Sequence, residues 1–449
     1  MARTAAGMTM RKSWLVCTAA ATALAGALVA GAAAPDRPAA KTAAVTYARD
    51  VAPILQQNCL SCHRSGEVAP FSMEDAKETA AWAQQIKLST RARRMPPWKA
   101  EPGGPAVHDE RRLTDAQIAT IAAWADAGAP LGDLKKLPPA PTFPPASAWK
   151  LSAPDRVISS REPYALAAEG ADVYRCFVVP TEYAEDRYLS ALEVKPGNRA
   201  VVHHVIAWLD TSGEGRRLDE AAPGEGYTST GGFPGFSPAG FLGGWAPGNE
   251  ARHLPDGVGI KLPKGSDIVL EVHYHKNGKP ETDQTKVGLY FREGPVNKRL
   301  RAVAIANGGM VIPAGAPDHL VTASTPFAKD ITVLSVMPHM HLLGRKIDVS
   351  AQVPGKPEPQ PLVSIDDWDF NWQMTYTFKE PLKLPAGARI DLAARYDNSD
   401  KNPRNPSRPP KEVRWGEQTT DEMSLAFVFY TIDGENLAPV AAATKGASR

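Results

Sequence analysis

The run Cys59-Leu60-Ser61-Cys62-His63 sets two thiols three residues apart beside an imidazole. Such thiols can add to the two vinyl groups of one haem, with His63 as the proximal iron ligand. Cysteines at this spacing also serve redox dithiols and half-sites for zinc. Zinc needs two further ligands, and only His108 lies in this region. A thioredoxin-type dithiol needs a β-α-β surround, whereas the neighbours read as helices. One covalent haem c is therefore the expectation. Its second axial ligand is expected to be Met95, in Arg94-Met95-Pro96-Pro97-Trp98, where the prolines prevent a helix and brace a loop. The alternative, Met73, sits close to the attachment motif and inside a helix start.

Six of the ten histidines fall in three tight groups: His203-His204, His273 with His275, and His339 with His341. Residues two apart on a strand share a face, so His339 and His341 can offer two imidazoles to one ion. Adjacent strand residues point to opposite faces, so His203 and His204 are expected to grip an ion from nearly opposite directions. A lone histidine in a strand is more often a hydrogen-bonded core residue, but three groups are hard to explain that way. The sulfur of Met337, Met340 and Met423 favours copper over zinc, since thioethers suit Cu(I).

The elements that must carry these residues differ along the chain. Ser72 with Asp75 has capping-box spacing before a helix through Ala80, Ala83 and Ile86, and Thr114 with Gln117 opens a second through Ile118, Ile121 and Ala125. Leu137 to Pro145 holds five prolines, a stiff extended spacer. Beyond residue 150, alternations such as Ile268-Leu270-Val272-Tyr274 and Leu425-Phe427-Phe429 read as half-buried strands between glycine and proline clusters. Ser212 to Gly257 carries twelve glycines and five prolines, with Phe233, Phe236, Phe241 and Trp245. It reads either as a packed wall of a cleft or as a surface insertion.

Two family resemblances emerge from these motifs. Residues 46–134 resemble a class I cytochrome c, through Asp50-Val51-Ala52-Pro53-Ile54-Leu55 before the attachment motif and a closing Trp124-Ala125-Asp126-Ala127-Gly128. Val202-His203-His204-Val205, Leu270-Glu271-Val272-His273-Tyr274, Pro338-His339-Met340-His341 and Thr420-Asp421-Glu422-Met423 resemble, in order, the copper motifs of type II, ascorbate-dependent monooxygenases. These are the relatives of peptidylglycine alpha-hydroxylating and dopamine beta-monooxygenases. The resemblance implies two copper ions: an electron-transfer copper on His203, His204 and His273, and an oxygen-binding copper on His339, His341 and Met423, where substrate is hydroxylated. It leaves His275 as a supporting or surface residue. It implies two jelly-roll sandwiches, so the expected fold class is an all-α cytochrome c domain followed by two all-β sandwiches. The expected divisions are 1–34, an export signal; 46–134, the cytochrome; 135–150, the linker; and 151–296 and 297–436, the sandwiches.

Departures from that family bear on substrate. Met337 stands where peptide-hydroxylating members place an arginine for the substrate carboxylate, and Phe427 stands in place of a tyrosine. A peptide carboxylate is therefore not expected, and the pocket reads as more apolar. Cys176 matches a cysteine that is normally in a disulfide. No partner remains in a mature chain, so a free, buried thiol is expected.

Composition limits the remaining choices. The chain has 449 residues, 43% hydrophobic and 22% charged, with a net charge of 51 − 49 = +2. No basic block marks a nucleic-acid binder, and four cysteines make no disulfide scaffold. Arg11 and Lys12 precede an uncharged, alanine-rich run to Ala34 with small residues at its end, the order of a secretory signal. A retained anchor is the alternative. The expectation is a periplasmic or otherwise exported protein without stable membrane insertion after cleavage. It would act on a small molecule with O2 and receive electrons at the haem from a periplasmic or membrane donor. A non-catalytic haem and copper electron carrier is the competing reading.

Overall fold

A computed structural model describes residues 44–437, apart from 68, 144, 146, 147, 231 and 232. The export signal expected over 1–34 lies outside the described residues.

Short helices open the described chain: Ala52–Asn58, Ala76–Ala81, Ala83–Arg91 and Asp115–Asp126. Thr114 and Gln117 form the expected reciprocal capping box. Ser72 does not cap its helix. Asp75 does, accepting the backbone N–H groups of Lys77 and Glu78, while Ser72 bonds Glu74 instead. A carboxylate one residue before the helix reaches two orphan donors, which a hydroxyl three residues further back cannot do. The helices bury Leu55, Met73, Ile86, Ile121 and Trp124 against one another.

The rest is strand. One five-stranded sheet runs in the order Tyr227–Ser229, Val173–Pro180, Asp267–Tyr274, Val202–Asp210, Gly240–Trp245. A second contains Arg187–Lys195 and Lys286–Phe291 at its middle. A four-stranded sheet orders Arg301–Ala306, Leu425–Ile432, Ile331–His339, Tyr376–Leu384, and another orders His319–Pro326, Arg389–Tyr396, Gly344–Gln352, Gln360–Ile365. Apolar alternation faces the first pair of sheets together around Val205, Leu270, Leu189 and Val287. The second pair closes around Val336, Val428, Ile347 and Leu392. Cys176 is free and fully buried on Val173–Pro180, as its strand position implied.

The expected fold class, an all-α cytochrome c domain followed by two jelly-roll sandwiches, is corrected by this architecture. Strand makes up 35% and helix 13%, and the larger sheets stand as four blades in a propeller-like arrangement. No substantial all-α domain stands apart among the described residues, and everything described from Val45 onward forms one compact unit. The physical reason lies in the segment after the third helix. Glu101 N–H donates to Ser364 O (2.7 Å), His108 N–H to Thr377 O (2.9 Å) and Lys379 N–H to Ala106 O (2.8 Å). Ala100 and Val107 are buried in the β core, and Trp98 packs edge-on against Tyr376. Helical periodicity reports which face of a helix is apolar; it does not report that the intervening loop belongs to a sheet.

Candidate functional site

Val202–Asp210 and Asp267–Tyr274 pair antiparallel, with His204 opposite His273 and a register shift between Val202 and His204. That irregularity overturns the expectation of imidazoles pointing to opposite faces. A bulge locally rotates the strand, so neighbouring side chains can share one side. His203, His204 and His273 converge instead, with ring centroids 4.7 to 5.4 Å apart. The Nδ1 atoms of His203 and His204 are 3.2 Å apart, and those of His204 and His273 are 3.4 Å apart. Nitrogens bound at about 2.0–2.1 Å to one ion lie about 3.3–3.6 Å from each other, so the trio has the spacing of a metal site.

The protonation states agree. Burial, then the neighbouring imidazole of His273, lowers the His203 pKa to about 4 and pushes that of His204 well below its usual value. His203 and His204 therefore face one another as neutral imidazoles, and a metal cation satisfies converging lone pairs better than a proton does. His273 Nε2–H donates to Asp172 Oδ2 (2.8 Å), which leaves its Nδ1 bare. The other Asp172 oxygen meets His275 Nδ1 (3.0 Å), so His275 supports this centre from outside. Tyr174 stacks on His273 with centroids 4.2 Å apart.

The second group is built differently. His339 ends the strand Ile331–His339, opposite Leu425, and His341 lies just beyond the strand. Their rings are perpendicular, 5.1 Å apart. His339 Nδ1–H donates to Gln373 Oε1 (2.6 Å) and His341 Nδ1–H to Asp421 O (3.2 Å). Both therefore present Nε2. Burial first lowers their pKa values, to about 3 for His339 and about 4 for His341. His339, His341 and Met423 all line one cavity, and the Glu422 carboxylate meets the backbone N–H groups of both His341 and Met423. Glu422 is fully buried and accepts the backbone N–H groups of His341 (2.8 Å), Leu343 (2.5 Å) and Met423 (3.2 Å). It thereby ties the histidine turn to the segment that carries Met423. Burial raises the Glu422 pKa to about 8. Met337 lines the adjoining cavity, whereas Met340 is fully buried in the core and offers no donor.

A cavity of about 1100 Å3 opens on both groups. Phe370 spans them, stacked on His203 (5.8 Å, 19°) and edge-on to His341 (5.7 Å, 81°). The glycine-rich segment contributes Phe241, which stacks on Phe427 across the cavity wall (6.1 Å, 15°).

Ser61 and Cys62 line the same cavity. Cys59 and Cys62 are free thiols, and His63 Nδ1–H donates to Phe71 O (3.1 Å), leaving Nε2 available. The two thiols and the imidazole are the donor types that would hold a covalent haem. Met73 is buried in the helical core, and its N–H bonds His63 O (2.8 Å). Met95 is half-buried and bonds Ser89 O (3.3 Å). Glu67 bridges Arg64 (2.7 Å) and Arg199 (2.6 Å), joining the attachment loop to the chain just before His203.

Residues 306–442 match the copper type II ascorbate-dependent monooxygenase C-terminal domain. The chain is also similar to DBH-like monooxygenase protein 1 of Homo sapiens, 28% identical over 211 residues, covering 41% of this chain and 32% of that protein. Its Mus musculus counterpart is 24% identical over 284 residues, covering 57% of this chain and 43% of the relative. The matches thus span less than half the length of these relatives. They support a relationship to the copper type II monooxygenases, carried by the C-terminal part of the chain. The second histidine group and Met423 lie inside the matched domain; the trihistidine group precedes it.

Asp172, Gln373 and Phe370 escaped the sequence reading. Each reaches its histidine from a distant part of the chain, and none sits in a repeated or paired motif. Glu422 was visible beside Met423, but its role depends on burial.

Proposed function

We propose that the protein is an exported copper monooxygenase that hydroxylates a C–H bond of a small substrate: RH + O2 + 2 e− + 2 H+ gives ROH + H2O. The observation that carries this reading is the pair of neutral imidazole groups opening on one cavity, one all-histidine and one beside Met423. When bound, copper supplies one-electron steps and oxygen activation. The chain's part is to hold three Nδ1 atoms at one end and two Nε2 atoms with a thioether at the other. Burial also favours the unprotonated form of His203, His204, His339 and His341. A soft sulfur donor at one end alone makes the two sites chemically unequal.

In this reading Cys59, Cys62, His63 and Met95 would hold a haem, and that group, when bound, would supply a one-electron entry point for a periplasmic or membrane donor. Support comes from the opening of Cys62 on the shared cavity and from the Glu67–Arg199 bridge toward His203. The order of residues in the 1–34 segment supports export. Among the described residues no helix is long and apolar enough to cross a membrane.

Aerobic turnover of the haem- and copper-loaded chain tests the proposal. Reductant-driven O2 consumption with a hydroxylated product is expected, and His63→Ala should stop it only with a donor that acts through the haem. Reversible haem and copper redox cycling without oxygenated product would leave an electron carrier in its place.

A further inference from the structure

The register of one sheet defines the wall beside the His339–His341–Met423 group. Arg301–Ala306, Leu425–Ile432 and Ile331–His339 lie side by side, so that three cross-strand rows form. Ala306 pairs with Leu425, which pairs with His339. Ala304 pairs with Phe427, which pairs with Met337. Phe429 pairs with Ser335, which in turn pairs with Thr377. All these residues line the cavity, and none carries a charge. Small alanines on the edge strand leave room beside the ring of Phe427. Phe241 faces Phe427 and Phe429 from the opposite side, with centroids 6.1 and 5.4 Å away, and Trp208 stands edge-on behind it.

Most charged side chains of the cavity sit on other walls and are engaged, whereas Lys379 lies exposed on Tyr376–Leu384, at the far edge of the same sheet. Arg199 pairs with Glu67, Arg252 with Asp109 and Lys150 with Glu250. Lys195 lies over the Trp149 ring, and Glu193 accepts the Tyr290 hydroxyl. Glu417 is held by Thr230 Oγ1 (2.6 Å), and burial raises its pKa, which weakens it as an anchor for a cation. A carboxylate or ammonium beside Ala304, Phe427 and Met337 would lose its hydration with no opposite charge within that row to replace it. A planar apolar ring would instead exchange water for aromatic faces.

We infer that the substrate is a neutral, hydrocarbon-rich ring compound, selected by the uncharged rows through Ala304, Phe427 and Met337. This inference rests on the monooxygenase reading and names its substrate class. Selection is by desolvation: the wall penalises charged analogues of the same shape rather than recognising a functional group.

Equilibrium binding to the copper-free full chain tests it, with ethylbenzene, 2-phenylethylamine and phenylacetate as probes. Ethylbenzene should bind at least tenfold more tightly than either ion. Met337→Arg should reverse the order in favour of phenylacetate, Met337→Leu should preserve it, and Glu417→Gln should leave ethylbenzene unaffected. If Met337→Arg fails to fold, Phe427→Ala should still weaken ethylbenzene selectively. Tighter binding of the amine, abolished by Glu417→Gln, would overturn the inference in favour of a cationic substrate. Phenylacetate preference in the unaltered chain, or no ethylbenzene binding, would overturn it as well. Copper uptake, measured separately, keeps the two readings apart. Ring binding without copper defeats the monooxygenase reading alone, whereas copper with turnover of only charged substrates defeats the substrate class alone.

Discussion

The two histidine groups solve one problem in opposite ways. The trihistidine group is built on two paired strands, and a bulge turns the adjacent His203 and His204 to one side. Asp172 takes the Nε2–H of His273, so that Nδ1 faces the site. At the other group Gln373 and a backbone carbonyl take Nδ1–H, so that Nε2 faces the site. The difference teaches that the metal-facing nitrogen is chosen by the partner of its opposite number, not by the histidine. Rigidity also differs. One group rests on sheet pairing, whereas the other depends on a turn pinned by Glu422.

The comparison can be broken most severely at its centre. His204 has its Nδ1 nearest both other nitrogens of its group, so His204→Ala should abolish that ion and retain the one near Met423. Copper analysis after dialysis would show one ion lost of two. A loss of both would mean that the groups do not act as separate sites.

Acid should reveal the metal-free state. The folded pKa values of His203 and His341 are about 4 and that of His339 about 3, all below the ordinary value. Below pH ~6.5 the unfolded chain therefore binds more protons than the folded one. These imidazoles should make metal-free stability fall as pH drops from about 6.5 toward 4, by roughly 1–3 kcal/mol for each well-buried ring. Urea unfolding across that range measures the slope. A flat profile would mean that these rings are not held neutral.

Smaller effects separate the supports. Asp172→Ala should weaken copper at the trihistidine group by about 10–100-fold, and Gln373→Ala should do the same only at the other group. Copper(I) competition titrations of each variant would read this, and crossed effects would contradict independent supports. Smallest is Phe370→Leu, which should keep both ions and slow electron transfer between them several-fold. Rapid-freeze copper EPR is the readout, and an unchanged rate would reduce Phe370 to packing.

What the sequence disclosed and what it withheld follow from range. Histidine pairs, Met423 and the strand-type alternation around them are local, and so was the capping box of Thr114 and Gln117. The bulge at His203 depends on the neighbouring strand, so side-chain parity misassigned its direction. The fold class failed for the same reason. Glu101 and His108 follow a helical segment in sequence, but their backbone acceptors are Ser364 and Thr377, more than 250 residues away. Asp172, Gln373 and Phe370 acquire meaning only when distant strands meet.

On the proposed reading one chain holds two unequal copper sites. Stoichiometric copper loading followed by EPR of the oxidised protein and X-ray absorption of the reduced protein tests it directly. The result expected is two ions per chain with inequivalent spectra, and a sulfur scatterer that disappears in Met423→Ala while the trihistidine signal persists. A single ion, two identical nitrogen-only sites, or displacement of both ions by stoichiometric zinc would contradict it.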